Sequence, residues 1–212
     1  MINKKYLTEF FGTAALLSVI TGSGLMGQAL SSGNDAVTLL GNSIATGAGL
    51  YVLIMILGPL SGAHFNPLVS VMAYTQKQLK RKDLLPYVIS QITGAIMGVW
   101  MTHLMFNLPI VQTSTKIRTG LGIWVSEVIA TVILLTVIYL GLKYAKKHIP
   151  MIVALTVTAG YWFTSSTFFC NPAVTFARSL TDTFVGIAPQ NILGFVISQL
   201  IALIITLQVT KK

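Results

Sequence analysis

Six stretches of this chain, near 7–27, 37–59, 84–106, 120–142, 149–166 and 190–209, are almost continuously apolar and joined by short polar or basic connections. About 20 apolar residues in a helix cross a hydrocarbon core of about 30 Å, so the pattern predicts six membrane-spanning helices. Between the second and third runs, and again between the fifth and sixth, lies a shorter segment opened by Asn-Pro: Asn66-Pro67 and Asn171-Pro172. Composition agrees with a lipid solvent: 54% of residues are hydrophobic, 9% are charged and the mean hydropathy is +0.78. The first run lacks a small-residue cleavage site and reads as a retained helix rather than a signal peptide.

The net charge of +9 follows the membrane. Lys4, Lys5, Lys77, Lys80, Arg81, Lys82, Lys143, Lys146, Lys147, Lys211 and Lys212 share one side if six spans alternate, and Lys116, Arg118 and Arg178 fall on the other. By the positive-inside rule both termini are cytoplasmic. The basic excess is therefore topological, and no nucleic-acid partner is expected. A lone cysteine, Cys170, excludes an internal disulfide. With no metal-ligand cluster, nucleotide loop or nucleophile-and-base set, neither a cofactor nor an enzymatic activity is expected.

The chain repeats itself. Glu9-Phe-Phe-Gly-Thr13 matches Glu127-Val-Ile-Ala-Thr131, Asn66-Pro-Leu-Val-Ser70 matches Asn171-Pro-Ala-Val-Thr175, and Val88-Ile-Ser-Gln91 matches Val196-Ile-Ser-Gln199, at offsets of 118, 105 and 108 residues. One all-α domain of two repeats, 1–112 and 113–212, accounts for the register. Three spans per repeat invert the second half in the bilayer, an arrangement that forms sites at the midplane from broken helices.

Each Asn-Pro has the chemistry of a helix start. Asn accepts a first-turn N–H as N-cap, and Pro suits the first helical position because its missing N–H would have had no partner. Half-helices are predicted from Asn66 to about Gln76 and from Asn171 to about Asp182, with N-termini meeting near mid-bilayer. Irregular backbone at that depth must be buried or line a cavity, so the lead-ins 61–65 and 164–170 should present carbonyls to a passage.

The motifs Asn66-Pro67-Leu68 and Asn171-Pro172-Ala173, the approach Ser61-Gly-Ala-His-Phe65, the paired Glu9 and Glu127, and the paired Gln91 and Gln199 resemble the major intrinsic proteins, the aquaporins and aquaglyceroporins. The resemblance covers nearly the whole chain. It implies a right-handed bundle of six transmembrane helices plus two half-helices, a pore in each subunit of a homotetramer, and passive conduction of small neutral solutes through a plasma membrane. The half-helix dipoles and the Asn66 and Asn171 amides would orient the solute and repel cations.

The constriction departs from the family pattern. Where most members carry Arg after Asn-Pro-Ala, this chain has Val174; Arg178, one turn further out, guards an outer vestibule or packs on loop carbonyls. Spacing from the motifs places Thr46, Ala159 and Phe168 with Val174 in a wide, weakly polar filter. Such a filter suits glycerol-like solutes, undissociated metalloid acids or methylated arsenicals, with water as a further permeant. Leu68, where Ala is usual, would crowd the junction of the half-helices.

Other polar residues admit two roles each. Glu9 and Glu127 either hold lead-in N–H groups, as the resemblance implies, or carry protons in a coupled transporter. His64 is a loop hydrogen-bonder or a pH gate. Cys170 fills the packed loop or presents a thiol to the pore. His103, Trp100, Trp124 and Tyr161 read as interfacial or lipid-facing, and Gly12, Gly22, Gly24, Gly94 and Gly98 as sites of close helix packing. A water-selective channel, a proton-coupled transporter and a closed structural homologue remain open beside the solute channel.

Overall fold

The computed structural model describes residues 3–210, so Lys211 and Lys212 of the charge argument lie outside the described residues. It consists of α1 (Lys4–Leu30), α2 (Asp35–Ser61), α3 (Pro67–Thr75), α4 (Arg81–Met105), α5 (Leu121–Tyr144), α6 (Ile149–Phe163), α7 (Pro172–Arg178) and α8 (Ile192–Thr210). Among the described residues, five helices are long and apolar enough to cross a membrane. The remaining long element, α6, has 15 residues, a rise of about 22 Å, because it stops at Phe163 where the second lead-in begins.

Helix ends follow the local chemistry. Asn34 caps α2 by accepting from Ala36 and Val37 N–H at 3.0 and 3.3 Å, and Gly62 at φ 92° closes it in the left-handed conformation that glycine adopts without cost. Asn66 and Asn171 cap the half-helices as expected, with Pro67 and Pro172 at the first helical position. The first half-helix ends at Thr75 with Gln76 as its cap. The second is shorter than the expected run to Asp182. It ends at Arg178 because the chain folds back there, and the Arg178 carbonyl accepts from Ile187 N–H rather than continuing the helical ladder.

Packing reproduces the repeat. In the first half α1 lies against α2 and α4, and α3 against α4; in the second α5 lies against α6 and α8, and α7 against α8. The halves interlock through α2 with α6, α4 with α7, α3 with α8, and the two half-helices with each other. This is the inverted three-helix repeat of an all-α membrane protein. Outward faces carry apolar residues such as Ile56, Leu104, Ile129, Leu155 and Ile204, as a lipid environment requires.

The α1–α4 contact is backbone-close. A Cβ at Gly94 or Gly98 would collide with the carbonyls of Phe10 and Ala14, so these glycines set the interhelical distance, and Ser18 Oγ bonds the Gly98 carbonyl at 3.0 Å across it. Gly12 has another reason to lack a side chain, since the Phe65 ring occupies the space of its Cβ. The equivalent pair in the second repeat is Ala130 and Cys170, both buried. The first repeat thus carries a glycine and a large ring at positions where the second carries two small side chains. Gly22 carries no such constraint, its nearest neighbours being at ordinary contact distance.

Candidate functional site

The half-helices α3 and α7 meet N-terminus to N-terminus and are tied by reciprocal bonds. Asn66 Nδ2 donates to the Cys170 carbonyl at 2.7 Å, and Asn171 Nδ2 donates to the Phe65 carbonyl at 2.7 Å. Each Oδ1 is spent on its own helix, from Leu68 N–H at 2.9 Å and from Ala173 and Val174 N–H at 3.0 and 3.3 Å. An amide carries two N–H donors, so one on each Asn is left unspent. Both residues line a cavity of about 400 Å³ that extends from Lys5 and Gln78 at one end to Phe169 and Arg178 at the other.

Left-handed backbone makes this geometry. Ala63, Phe65, Thr167, Phe168 and Cys170 have φ between 49° and 57°, a conformation costly for residues with a side chain and concentrated at functional sites. Residues 62–65 and 168–170 border the cavity. Glu9 holds the first lead-in with three of its four acceptor contacts and α4 with the fourth. Its Oε1 accepts from Ser61 Oγ at 2.6 Å and His64 N–H at 3.0 Å, and its Oε2 from Phe65 N–H and Gln91 Nε2, each at 2.8 Å. Glu127 holds the second more sparsely. Its Oε1 accepts from Cys170 N–H at 2.6 Å and Gln199 Nε2 at 2.8 Å, while its buried Oε2 has no partner among the described residues. Gln91 also reaches Ser70 Oγ, and Gln199 reaches Thr175 Oγ1, both at 2.9 Å.

The passage wall is a set of helical stripes four residues apart, hence on one face of each helix. These are Leu16 and Ile20 on α1, Thr46, Leu50 and Ile54 on α2, Leu134, Ile138 and Leu142 on α5, and Ile149, Val153, Val157 and Tyr161 on α6. Leu16 and Ile20 map onto Leu134 and Ile138 at the offset of 118 that relates Glu9 to Glu127. Val69 and Val174, each fourth in its motif, face the same cavity. The interior is therefore largely apolar, interrupted by Thr46, His64, Tyr161 and the two Asn side chains.

Thr46, Phe168 and Val174 all reach this wall. Ala159 does not. It is exposed on the outer face of α6, because each residue turns a helix by about 100° and the face toward the cavity belongs to Val157 and Tyr161. Tyr161, read from sequence as lipid-facing, is 3% exposed with its hydroxyl 3.4 Å from Thr46 Oγ1. The spacing of 149, 153, 157 and 161 was the signal for it. Gly160 beside it seats the Phe168 ring, which fills the space of a Cβ there.

Leu68 also differs from expectation. It packs with Met72, Leu135 and Leu203, away from the cavity, and obstructs nothing. Ala173, at the matching position, is buried in the main core. His64 Nδ1 lies 3.0 Å from Ser70 Oγ, and its ring packs on Tyr87 at 5.3 Å while lining the passage. Cys170 is 1% exposed, so it contributes its carbonyl to the Asn66 bond rather than an accessible thiol. His103 is fully buried rather than interfacial, bridging the Ile110 carbonyl and Thr181 Oγ1 at 2.7 Å each.

At the outer end, residues 106–120 and 179–191 are laced together. Asp182 Oδ1 accepts from Thr115 N–H and Oγ1 at 2.8 and 2.9 Å, which holds its carboxyl below the usual range. Lys116 Nζ donates to the Phe184 carbonyl, Arg118 Nε to Gly186 and Arg178 Nε to Val185. Burial pulls Arg118 down to about 10. The Arg178 guanidinium stacks on Phe169, 3.5 Å from the ring centroid.

Comparison with known proteins agrees with this geometry. The sequence model described as Major intrinsic protein matches residues 1–167. Aquaglyceroporin AqpS of Rhizobium meliloti is 46% identical over 210 residues, covering 99% of this chain and 90% of that protein. Aquaporin AqpM of Methanothermobacter marburgensis is 28% identical, covering 85% of this chain and 84% of that one. Among solved structures, the aquaglyceroporin from Plasmodium falciparum superposes with a TM-score of 0.75 over 97% of this chain and 93% of its own, at 20% identity, a likeness of fold. With its family model matched over most of its length and a full-length relative at nearly half identity, the chain belongs to the major intrinsic protein family.

Proposed function

We propose that the protein is a passive channel for small uncharged solutes, conducting glycerol-like polyols and undissociated metalloid or methylated arsenical acids, and also water. The observation that carries this reading is Val174. At the position where the resemblance places a charged, narrowing side chain, an apolar one faces the cavity beside Thr46, Phe168 and Tyr161. The apolar stripes accommodate carbon skeletons, and the carbonyls and Asn amides replace the hydration of hydroxyl groups. The similarity to an aquaglyceroporin over nearly the whole chain supports the same class.

A proton-coupled mechanism has less support, because Glu9 is saturated by four hydrogen bonds and neither Glu9 nor Glu127 lines the cavity. A closed structural homologue loses its basis once Leu68 leaves the passage. We place the protein in a plasma membrane as a homotetramer with both termini cytoplasmic, a reading supported by the distribution of Lys and Arg. The test is glycerol uptake into liposomes holding the purified protein. Fast flux that stays the same when a proton gradient is imposed or collapsed supports a channel, and flux that rises with the gradient sinks it.

A further inference from the structure

Arg178 is only 2% exposed, yet it borders the cavity. Its Nε is bound to the Val185 carbonyl and its plane rests on Phe169. No hydrogen bond reaches Nη1 or Nη2 among the described residues, and neither belongs to the fully buried atoms that lack a partner. Their N–H groups are therefore unspent on the protein, and the residue they belong to lines the outer end of the passage. The guanidinium is held by Val185 and Phe169 with its terminal donors left over.

Its surroundings reinforce the charge. Arg118 spends Nε on Gly186 at 2.8 Å and Nη2 on Phe184 at 3.2 Å, and its guanidinium lies 5.5 Å from the same Phe169 ring. Lys116 Nζ is held by Phe184 at 2.9 Å. Three cations thus gather on three successive carbonyls, 184–186, and the one ion pair among the described residues is elsewhere, between Lys5 and Asp83. Asp182, the acid of the same loops, is occupied by Thr115. A guanidinium offers paired N–H donors that match an oxyanion, and low-dielectric walls strengthen its field.

We propose that the outer vestibule is an anion-binding site, in which the terminal amino groups of Arg178 hold a small oxyanion of the sulfate or phosphate class. The bound anion stops there, because Val174, Phe168 and Tyr161 below it offer too few donors to replace its hydration. Its occupancy closes the passage to neutral solutes. This regulation rests on the cavity being a solute path, as proposed above.

The test is glycerol flux in proteoliposomes at constant ionic strength, titrated with sulfate and, separately, with dimethyl sulfone as its uncharged analogue. Sulfate should slow flux in a saturable way and dimethyl sulfone should not. Relative to each variant's own uninhibited rate, Arg178→Gln should raise the half-inhibitory sulfate concentration at least about tenfold and Arg178→Lys about threefold. Should Arg178→Gln fail to fold, the sulfate and sulfone comparison and the lysine variant still decide the matter. Flux indifferent to sulfate, equal effects of sulfate and sulfone, or unchanged inhibition in Arg178→Lys each overturn the site while leaving the channel intact. Absence of any glycerol flux would instead overturn the channel reading itself.

Discussion

Asn66 donates its side-chain amide to the carbonyl of Cys170, 104 residues away, at 2.7 Å. The bond joins the start of one half-helix to the last residue before the other, and Asn171 returns it to Phe65. Fixing both amides in this way leaves one N–H of each with a defined direction. Asn66→Ser keeps a competent N-cap but removes the cross-repeat bond. Thermal unfolding in detergent should show a loss of about 1–2 kcal/mol, with reduced solute flux. A variant as stable as wild type would mean that the bond contributes little.

The Phe65 ring occupies the space of a Cβ on Gly12, whereas the second repeat uses Ala130 and Cys170. Gly12→Ala should destabilise by about 1–3 kcal/mol through overpacking, and Phe65→Cys by a similar or larger amount through a cavity. The double variant recreates the second repeat's pair. It should be more stable than the sum of the single effects by at least about 1 kcal/mol. Strict additivity in a melting series would show that the two positions do not share a volume.

The two buried carboxylates differ in saturation. Glu9 accepts four hydrogen bonds, so Glu9→Gln turns an amide against two donors and should cost about 2–4 kcal/mol. Glu127 has an unpartnered Oε2, where a glutamine nitrogen meets no opposing donor, and Glu127→Gln should cost less than about 1 kcal/mol. Chemical or thermal denaturation of the pair would refute the argument if the order were reversed.

Asp182 is a surface clamp whose carboxyl is held low by Thr115. Its contribution is therefore complete above the ordinary carboxylate value of about 3.9 and is lost as pH falls through the lowered native value. Wild type and Asp182→Ala should differ in melting temperature at neutral pH, and the gap should narrow in strong acid. A gap independent of pH would assign the effect to something other than the ionised carboxylate.

The parts legible in sequence were those set by short-range chemistry. Asn66 and Asn171 announce helix starts through capping, and the six apolar runs announce spans through length. The paired Glu and Gln residues announce the repeat because the same hydrogen-bonding task recurs in both halves. What was not legible depended on rotation and return of the chain. Counting back from Asn171 crosses the irregular segment 164–170, so the count reached Ala159 while the cavity face carried Tyr161. Leu68 was misassigned because the motif does not say which face of α3 meets Leu135 and Leu203. Arg178 ends α7 early through contacts with Val185 and Ile187, which no helix propensity encodes. His103 likewise owes its burial to Ile110 and Thr181, residues of loops whose course the sequence leaves open.

The central claim is that Val174 keeps the outer constriction wide and uncharged, and its most direct test is stopped-flow light scattering on liposomes containing wild type or Val174→Arg. Water, glycerol and an undissociated metalloid acid would each be followed. Wild type should pass all three, and the arginine should cut glycerol and metalloid flux at least about tenfold while water continues. Glycerol flux that is negligible in wild type, or unchanged by the arginine, would contradict the account.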